Sequence, residues 1–246
     1  MDHNKNIITG ISSVFSQITG QLFLENIKME KQRTNLPYSF IIKKMLNKPI
    51  GYFNGFMPYG LFQSFGKGYI ISGTKLFIEP KINKNINSNI KNIIIGISTG
   101  ITESIFLTPL TLMRVQLNKN IVDKEKNKIS IYNKNVIFKG FLGLFLKRSL
   151  DWTSRYLFID KFQKISPIDN IIFNTFFASG LSTVISTPAD RILPLIFSNE
   201  NILKIYNKQK IKFFYNGFIF RFLSTGYYTT CLFLIPNEIT KFINKQ

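Results

Sequence analysis

Ionisable side chains interrupt the most apolar stretches of this sequence. Glu103 lies in NIIIGISTGITESIFL, Arg221 lies in FIFRFL, and Lys147, Arg148, Asp151 and Arg155 follow one another in a segment rich in Phe and Leu. The guanidinium of Arg221 can grip a phosphate or carboxylate through two parallel hydrogen bonds, and Lys147 and Arg148 add a compact and a forked charge. Asp151 and Arg155, four residues apart, share one face of a helix. Covalent chemistry is not indicated: the single cysteine, Cys231, and single histidine, His3, leave no internal disulfide and no Cys/His metal site. No catalytic residue, metal or cofactor is expected. These residue types suit the recognition of an anion.

The elements that carry such charges must tolerate them. The 246 residues are 45% hydrophobic and include 25 Phe, yet 32 Lys and Arg against 13 Asp and Glu give a formal charge of +19. A basic nucleic-acid binder rarely carries apolar runs of about 15 to 20 residues, so membrane spans with basic connectors are expected, and nucleic acid is not an expected partner. Helical spans are expected over 7–31, 56–78, 92–117, 141–163, 169–195 and 217–240, with a short amphipathic surface helix over 41–53. None of the six is a clean run of 18 apolar residues, which suits helices lining a polar cavity. The connectors 33–52, 119–139 and 198–216 carry fourteen Lys and Arg, the termini and remaining loops seven, so both termini should face the less basic side. MDHNKN carries an acid and no cleavage pattern, so no cleaved signal peptide is expected.

Two landmarks recur at nearly one period. FLENIKMEKQ, PLTLMRVQLN and PADRILPLIF begin at 23, 109 and 188, spacings of 86 and 79 residues. The glycines Gly55, Gly140 and Gly217, in YFNGFMPYG, IFKGFLG and FYNGFIF, are 85 and 77 apart. Three copies of a two-helix unit follow, approximately 1–85, 86–165 and 166–246, within one domain. GISTG places Gly96 and Gly100 four apart, and Gly10 and Gly180 lie among serines, as close packing of helices requires. No dimer is inferred from these glycines; a monomer is expected.

A proline followed at +2 by an acid and at +5 by a base, repeated three times about 80 residues apart, resembles the mitochondrial carrier family over nearly the whole chain. The resemblance implies an all-α membrane protein of six transmembrane helices in three pseudo-symmetric repeats, with short surface helices between odd and even spans. It implies a monomeric carrier in the mitochondrial inner membrane that exchanges a small anionic solute by alternating access, with the bilayer, and anionic lipids such as cardiolipin at the surface helices, as partners. Pro109 and Pro188 would kink their helices inward, and the charges beyond them would close the cavity in cyclic pairs: Glu25 with Arg114, and Asp190 with Lys28. Phe23 stands where the first proline should be, Thr111 replaces an acid and Leu193 a base. The two charge losses fall on the same expected pair, so neither strands a partner. Gln32 matches the family's bracing glutamine.

Family contact points about seven residues after each glycine fall on Phe62 with Gln63, on Lys147 with Arg148, and on Ser224 with Arg221 one turn earlier. Phe62 would offer a face for stacking a base, which favours a nucleotide or deoxynucleotide; a carboxylate or phosphate is the alternative solute. Gln17, Glu103 and Ser182 each stand six residues before the proline position and should lie at one level, with Glu103 functional or paired with Lys147 or Arg148. On the opposite rim the acid–base pattern is degraded, with Lys75 where an acid belongs and Asp160 and Lys164 out of register. A transport-deficient membrane adaptor or receptor is the alternative function. Restoring the lost pair with Thr111→Asp and Leu193→Lys should slow turnover in proteoliposomes by over-stabilising the closed gate; a rate equal to or above wild type contradicts that reading.

Overall fold

Long helices follow from a sequence with few internal helix breakers and apolar stripes many turns long. The computed structural model describes residues 2–34, 36–47, 56–83, 85–123, 134–166, 168, 170–197 and 214–243. Nearly all of its described residues are helical, with no strand among them. The helices are α1 (Asp2–Ser16), α2 (Leu22–Thr34), α3 (Tyr38–Leu46), α4 (Tyr59–Ile78), α5 (Ser88–Asp123), α6 (Lys134–Ile165), α7 (Ile171–Phe197) and α8 (Phe218–Ile243). A π-helical turn, Gln17–Gln21, joins α1 to α2, which makes the pair one rod. Each rod packs on its chain neighbours, α1 on α4, α4 on α5, α5 on α6, α6 on α7 and α7 on α8, and α8 returns to α1. The order closes into a ring.

The interior is polar and the exterior apolar. Among the described residues thirty buried side chains are polar or charged and thirteen are hydrophobic, the reverse of a water-soluble core. Ile93, Ile97, Ile101, Ile105 and Phe106 of α5 and Phe138, Leu142, Leu146 and Leu150 of α6 point outward. Four helical segments, Asn4–Gln32, Ser88–Thr111, Ile171–Asp190 and Phe218–Thr240, are long and apolar enough to cross a membrane. That is the character of an integral membrane protein. Six spans were expected. Helices α4 and α6 have the length, at 20 and 32 residues, but not the apolarity: Lys67 and Lys75 with several Gly and Ser dilute α4, and Lys147, Arg148, Asp151 and Arg155 charge α6.

Many buried hydroxyls are satisfied locally. Thr99, Ser104 and Thr108 of α5 and Ser179 and Thr187 of α7 donate to backbone carbonyls four residues earlier, which lets these Ser and Thr fill the interior with their donors paired. Kinks were expected at Pro109 and Pro188, and both helices continue past these residues. Helix α5 runs through Pro109 to Asp123 and α7 through Pro188 to Phe197. Pro188 has no N–H to give the Val184 carbonyl, and the Tyr215 hydroxyl donates to that carbonyl instead, at 3.3 Å. Where Phe23 replaces the first proline, the irregularity is the π-turn one turn upstream, with the Leu22 N–H reaching back to the Gln17 carbonyl.

Other boundaries shift with their end signals. The surface helix starts at Tyr38 rather than 41 because Pro37, at ψ 144°, sets the extended entry. It rests on α2 through Lys44 and Glu30, 2.9 Å apart, and through Tyr38, whose ring lies 4.8 Å from that of Phe220 in α8. Gly217 opens α8 as expected, with φ +87°, whereas Gly140 lies inside α6 and Gly55 is outside the described residues.

Small residues set the closest approach. A Cβ on Gly96 would stand 2.5 Å from Thr153 Cα, and one on Gly100 2.5 Å from Ser149 N, so α5 and α6 meet backbone to backbone. Gly100→Val should lower stability by about 1–3 kcal/mol through overpacking. Thermal unfolding in detergent checks this, with Gly73→Ala as control, since a Cβ there meets nothing closer than Asn6 at 3.4 Å.

Candidate functional site

Charged residues flagged by sequence come from five different rods and meet along the axis of the ring. At one end Asp190 of α7 takes three cations: Lys28 of α2, its Nζ 2.7 Å from Oδ2, Lys147 of α6 and Arg221 of α8. Arg221 is also held by Asp151 of α6, Nη2 to Oδ1 2.8 Å, and donates to Ser186 Oγ of α7 at 3.0 Å. Two carboxylates and three cations thus tie four rods together in a region sealed from water, where pairing of this kind is obligatory.

One of the two expected cyclic pairs is therefore formed directly: Lys28 and Asp190, 162 residues apart in sequence. Gly217 helps position it, because a Cβ there would stand 3.0 Å from Lys28 Cγ. Gln32 donates to the Asn216 carbonyl beside that glycine at 3.1 Å, fixing the approach of α8 to α2. For the other pair, Glu25 accepts from Gln21 Nε2 at 2.9 Å in a Gln17–Gln21–Glu25 run along the first rod; the side chains of Arg114 and Leu193 lie outside the described residues. Thr111, at the position that lost its acid, accepts a 2.7 Å hydrogen bond from Gln63 Nε2 of α4. A neutral contact occupies the place of a charged one.

Further along the axis Glu103 of α5, fully buried, is shared by Arg148, Nε 3.2 Å from Oε1, and by the Trp152 indole, Nε1 to Oε2 2.6 Å. Adjacent Lys147 and Arg148 both face inward and take different acids, because α6 presents one to α7 and the other to α5. Gln17 and Ser182 are buried like Glu103, and Ser224 is buried one turn beyond Arg221 on α8.

Phe62 is a correction. It is 60% exposed, while Gly60, Gln63, Ser64 and Lys67 are buried, so the inner face of α4 starts one residue later than the spacing from Gly55 suggested. Phe62 points outward and offers no stacking platform on the axis. The opposite-rim residues Asp160 and Lys164 pair with each other on one helix, 2.9 Å apart, rather than across helices.

Two groups escaped the sequence reading. Lys67 of α4, 7% exposed, places its ammonium 4.0 Å from the centre of the Tyr228 ring; nothing in SFGKGYI separates it from a surface lysine until the face of α4 is known. The second is an apolar layer of Ile71, Ile95, Trp152, Tyr156, Tyr228 and Leu232, drawn from α4, α5, α6 and α8. Beyond it a cavity of about 210 Å³ opens toward the chain ends, lined by Lys5, Thr9, Ser72, Lys75, Tyr156 and Asn237 among others. The axis thus runs from a vestibule through an apolar layer to buried polar and charged side chains that end at Asp190. Among the described residues no Cys, His or acid cluster could hold a metal ion.

No protein-family model matches this chain, and no characterised protein matches it at a significant level.

Asp190→Asn would leave three cations facing a neutral amide and should cost about 3–5 kcal/mol. Asp160→Asn, in the exposed pair with Lys164, should cost under about 1 kcal/mol. Thermal unfolding of both variants in detergent makes the comparison.

Proposed function

We propose that this chain is a monomeric solute carrier of the mitochondrial carrier type. In this reading the six rods are three pseudo-symmetric two-helix repeats spanning the mitochondrial inner membrane, and an anionic metabolite is exchanged by alternating access through the axis of the ring. The observation that carries the reading is the Lys28–Asp190 ion pair. It joins the first and third repeats at the two positions for which cyclic pairing was expected, and it closes one end of a polar axis inside an apolar exterior.

The geometry suggests how binding would couple to opening. Asp190 must release Lys28 of the first repeat and Lys147 of the second, and Arg221 must release Asp151, before the three repeats can part at that end. Alone, that separation strands buried charges and is prohibitive. An anion entering from the vestibule supplies replacement negative charge to Arg221 and Lys147, so the solute takes over as Asp190 lets go. Only interactions that differ between the two states shift their balance, and this exchange of partners is such a difference. The missing third pair, replaced by the Gln63–Thr111 hydrogen bond, lowers the cost of opening further.

Purified protein reconstituted into vesicles preloaded with ATP, phosphate or succinate should exchange at least one of them for labelled external solute. Arg221→Gln should remove that exchange, because Asp190 and Asp151 lose their shared cation and the solute its forked donor. If no anion moves and Lys147, Arg148 and Arg221 all tolerate alanine, the membrane adaptor or receptor reading takes its place.

A further inference from the structure

Of the cations on the axis, Lys28, Lys147, Arg148 and Arg221 each contact a carboxylate. Lys67 and Arg155 do not: among the described residues neither has an acid within salt-bridge distance. They are 7% and 5% exposed. Arg155 Nε and Nη1 are wholly buried without a hydrogen-bond partner, and so are the neighbouring Tyr156 hydroxyl and Thr229 Oγ1. The charges in electrostatic reach of Lys67 are Arg148, Glu103, Arg155 and Glu25, and Glu103 is already committed to Arg148 and Trp152. Two like charges therefore lie within electrostatic reach of each other, and the acids acting most strongly on them, Glu103 and Asp151, are in contact with other cations, Arg148 and Arg221.

Each sits on an aromatic face rather than against an acid, Lys67 over Tyr228 at 4.0 Å and Arg155 over Trp152 at 4.5 Å. A ring face steadies a cation without neutralising it or occupying its donors. The two lie immediately inside the apolar layer, Lys67 one turn before Ile71 on α4 and Arg155 beside Tyr156 on α6. A lysine can shed its proton in such a place; an arginine cannot. Arg155 thus keeps its demand for negative charge at any physiological pH, and intramembrane charge without a partner marks a site rather than a scaffold.

We propose that Lys67 and Arg155 form a receiving site for one small dianion, of the size of phosphate or a short dicarboxylate, bridging the two cations beneath the Tyr156–Leu232 layer. This rests on the carrier reading for its place in a transport cycle, but not for the binding itself. The ligand brings two negative charges to two unpaired cations and acceptor oxygens to the orphaned Arg155 donors and the Tyr156 hydroxyl. A monoanion leaves one cation uncompensated. A nucleotide finds no stacking face, since Phe62 points out and the rings of Tyr228 and Trp152 are covered by the cations.

The test is thermal unfolding of the detergent-purified full chain with phosphate, succinate, chloride, acetate or ATP, each at millimolar concentration. A ligand that binds only the folded form raises the unfolding midpoint. Phosphate or succinate should raise it; chloride and acetate should not. Lys67→Met should unfold no earlier than wild type without anion, since it removes an uncompensated charge, and should weaken the apparent affinity for the dianion at least about tenfold. Arg155→Lys should retain part of the response and Arg155→Met none. Lys67→Met that unfolds earlier with an unchanged anion response makes Lys67 a structural cation and overturns the proposal. Stabilisation by ATP alone overturns the small-dianion assignment and leaves the carrier reading standing. Stabilisation by phosphate or succinate that depends on both cations, with no exchange in vesicles, keeps the site and removes the carrier reading.

Discussion

A carboxylate that has left water must be met by positive charge, and Asp190 is met by three cations from three different rods. Their convergence fixes how α2, α6, α7 and α8 stand at one end of the ring, because a displacement of any one rod would strand a buried charge. Hydrophobic packing cannot set the geometry in the same way. The exterior of this bundle is apolar and the interior hydroxyl-rich, so rods in a bilayer gain little from burying more alkane and are located instead by polar contacts and by how closely glycines let backbones approach. Gly96 and Gly100 serve α5 against α6, and Gly68 meets Thr9 and Ser13 of the first rod.

From that anchor the axis is graded. Nearest Asp190 every cation shares a carboxylate; at the level of Glu103 a single acid is divided between a guanidinium and an indole; Lys67 and Arg155 rest on ring faces, with no acid among the described residues at salt-bridge distance. An apolar layer then isolates this sequence of charges from the vestibule. Closure is thus ionic at one end and aromatic at the other. The rim charges that the repeat pattern offers are spent elsewhere, Asp160 on Lys164 of its own helix and Lys75 above the Phe233 ring.

The helices were largely legible because a run of apolar residues cut by Lys- and Asn-rich connectors has few alternatives to a row of helices, and the structure places helices close to all six expected positions, four of them apolar enough to span a membrane. The Lys28–Asp190 contact was expected only through the resemblance to a carrier family, which implies that pair, and the structure brings the two side chains together. The setting of Phe62 was not legible. Spacing counted from Gly55 is good to about one residue, and one residue turns a side chain by about 100° on a helix, enough to exchange Phe62 for Gln63. Lys67 was missed for the same reason: before the inner face of α4 is known, a lysine between two glycines resembles any other.

The sequence by itself determined that this chain makes long helices with apolar outsides and that its ionisable residues would turn inward. Those are consequences of residue type and apolar patterning, which survive any rotation of one helix about its axis. Only the tertiary structure decided which acid each cation takes, that both helices continue past their prolines, and that Lys67 and Arg155 sit on ring faces with no acid among the described residues at salt-bridge distance. These outcomes depend on the angular setting of the rods to within a fraction of a turn, and that setting belongs to the closed ring rather than to any one of its segments.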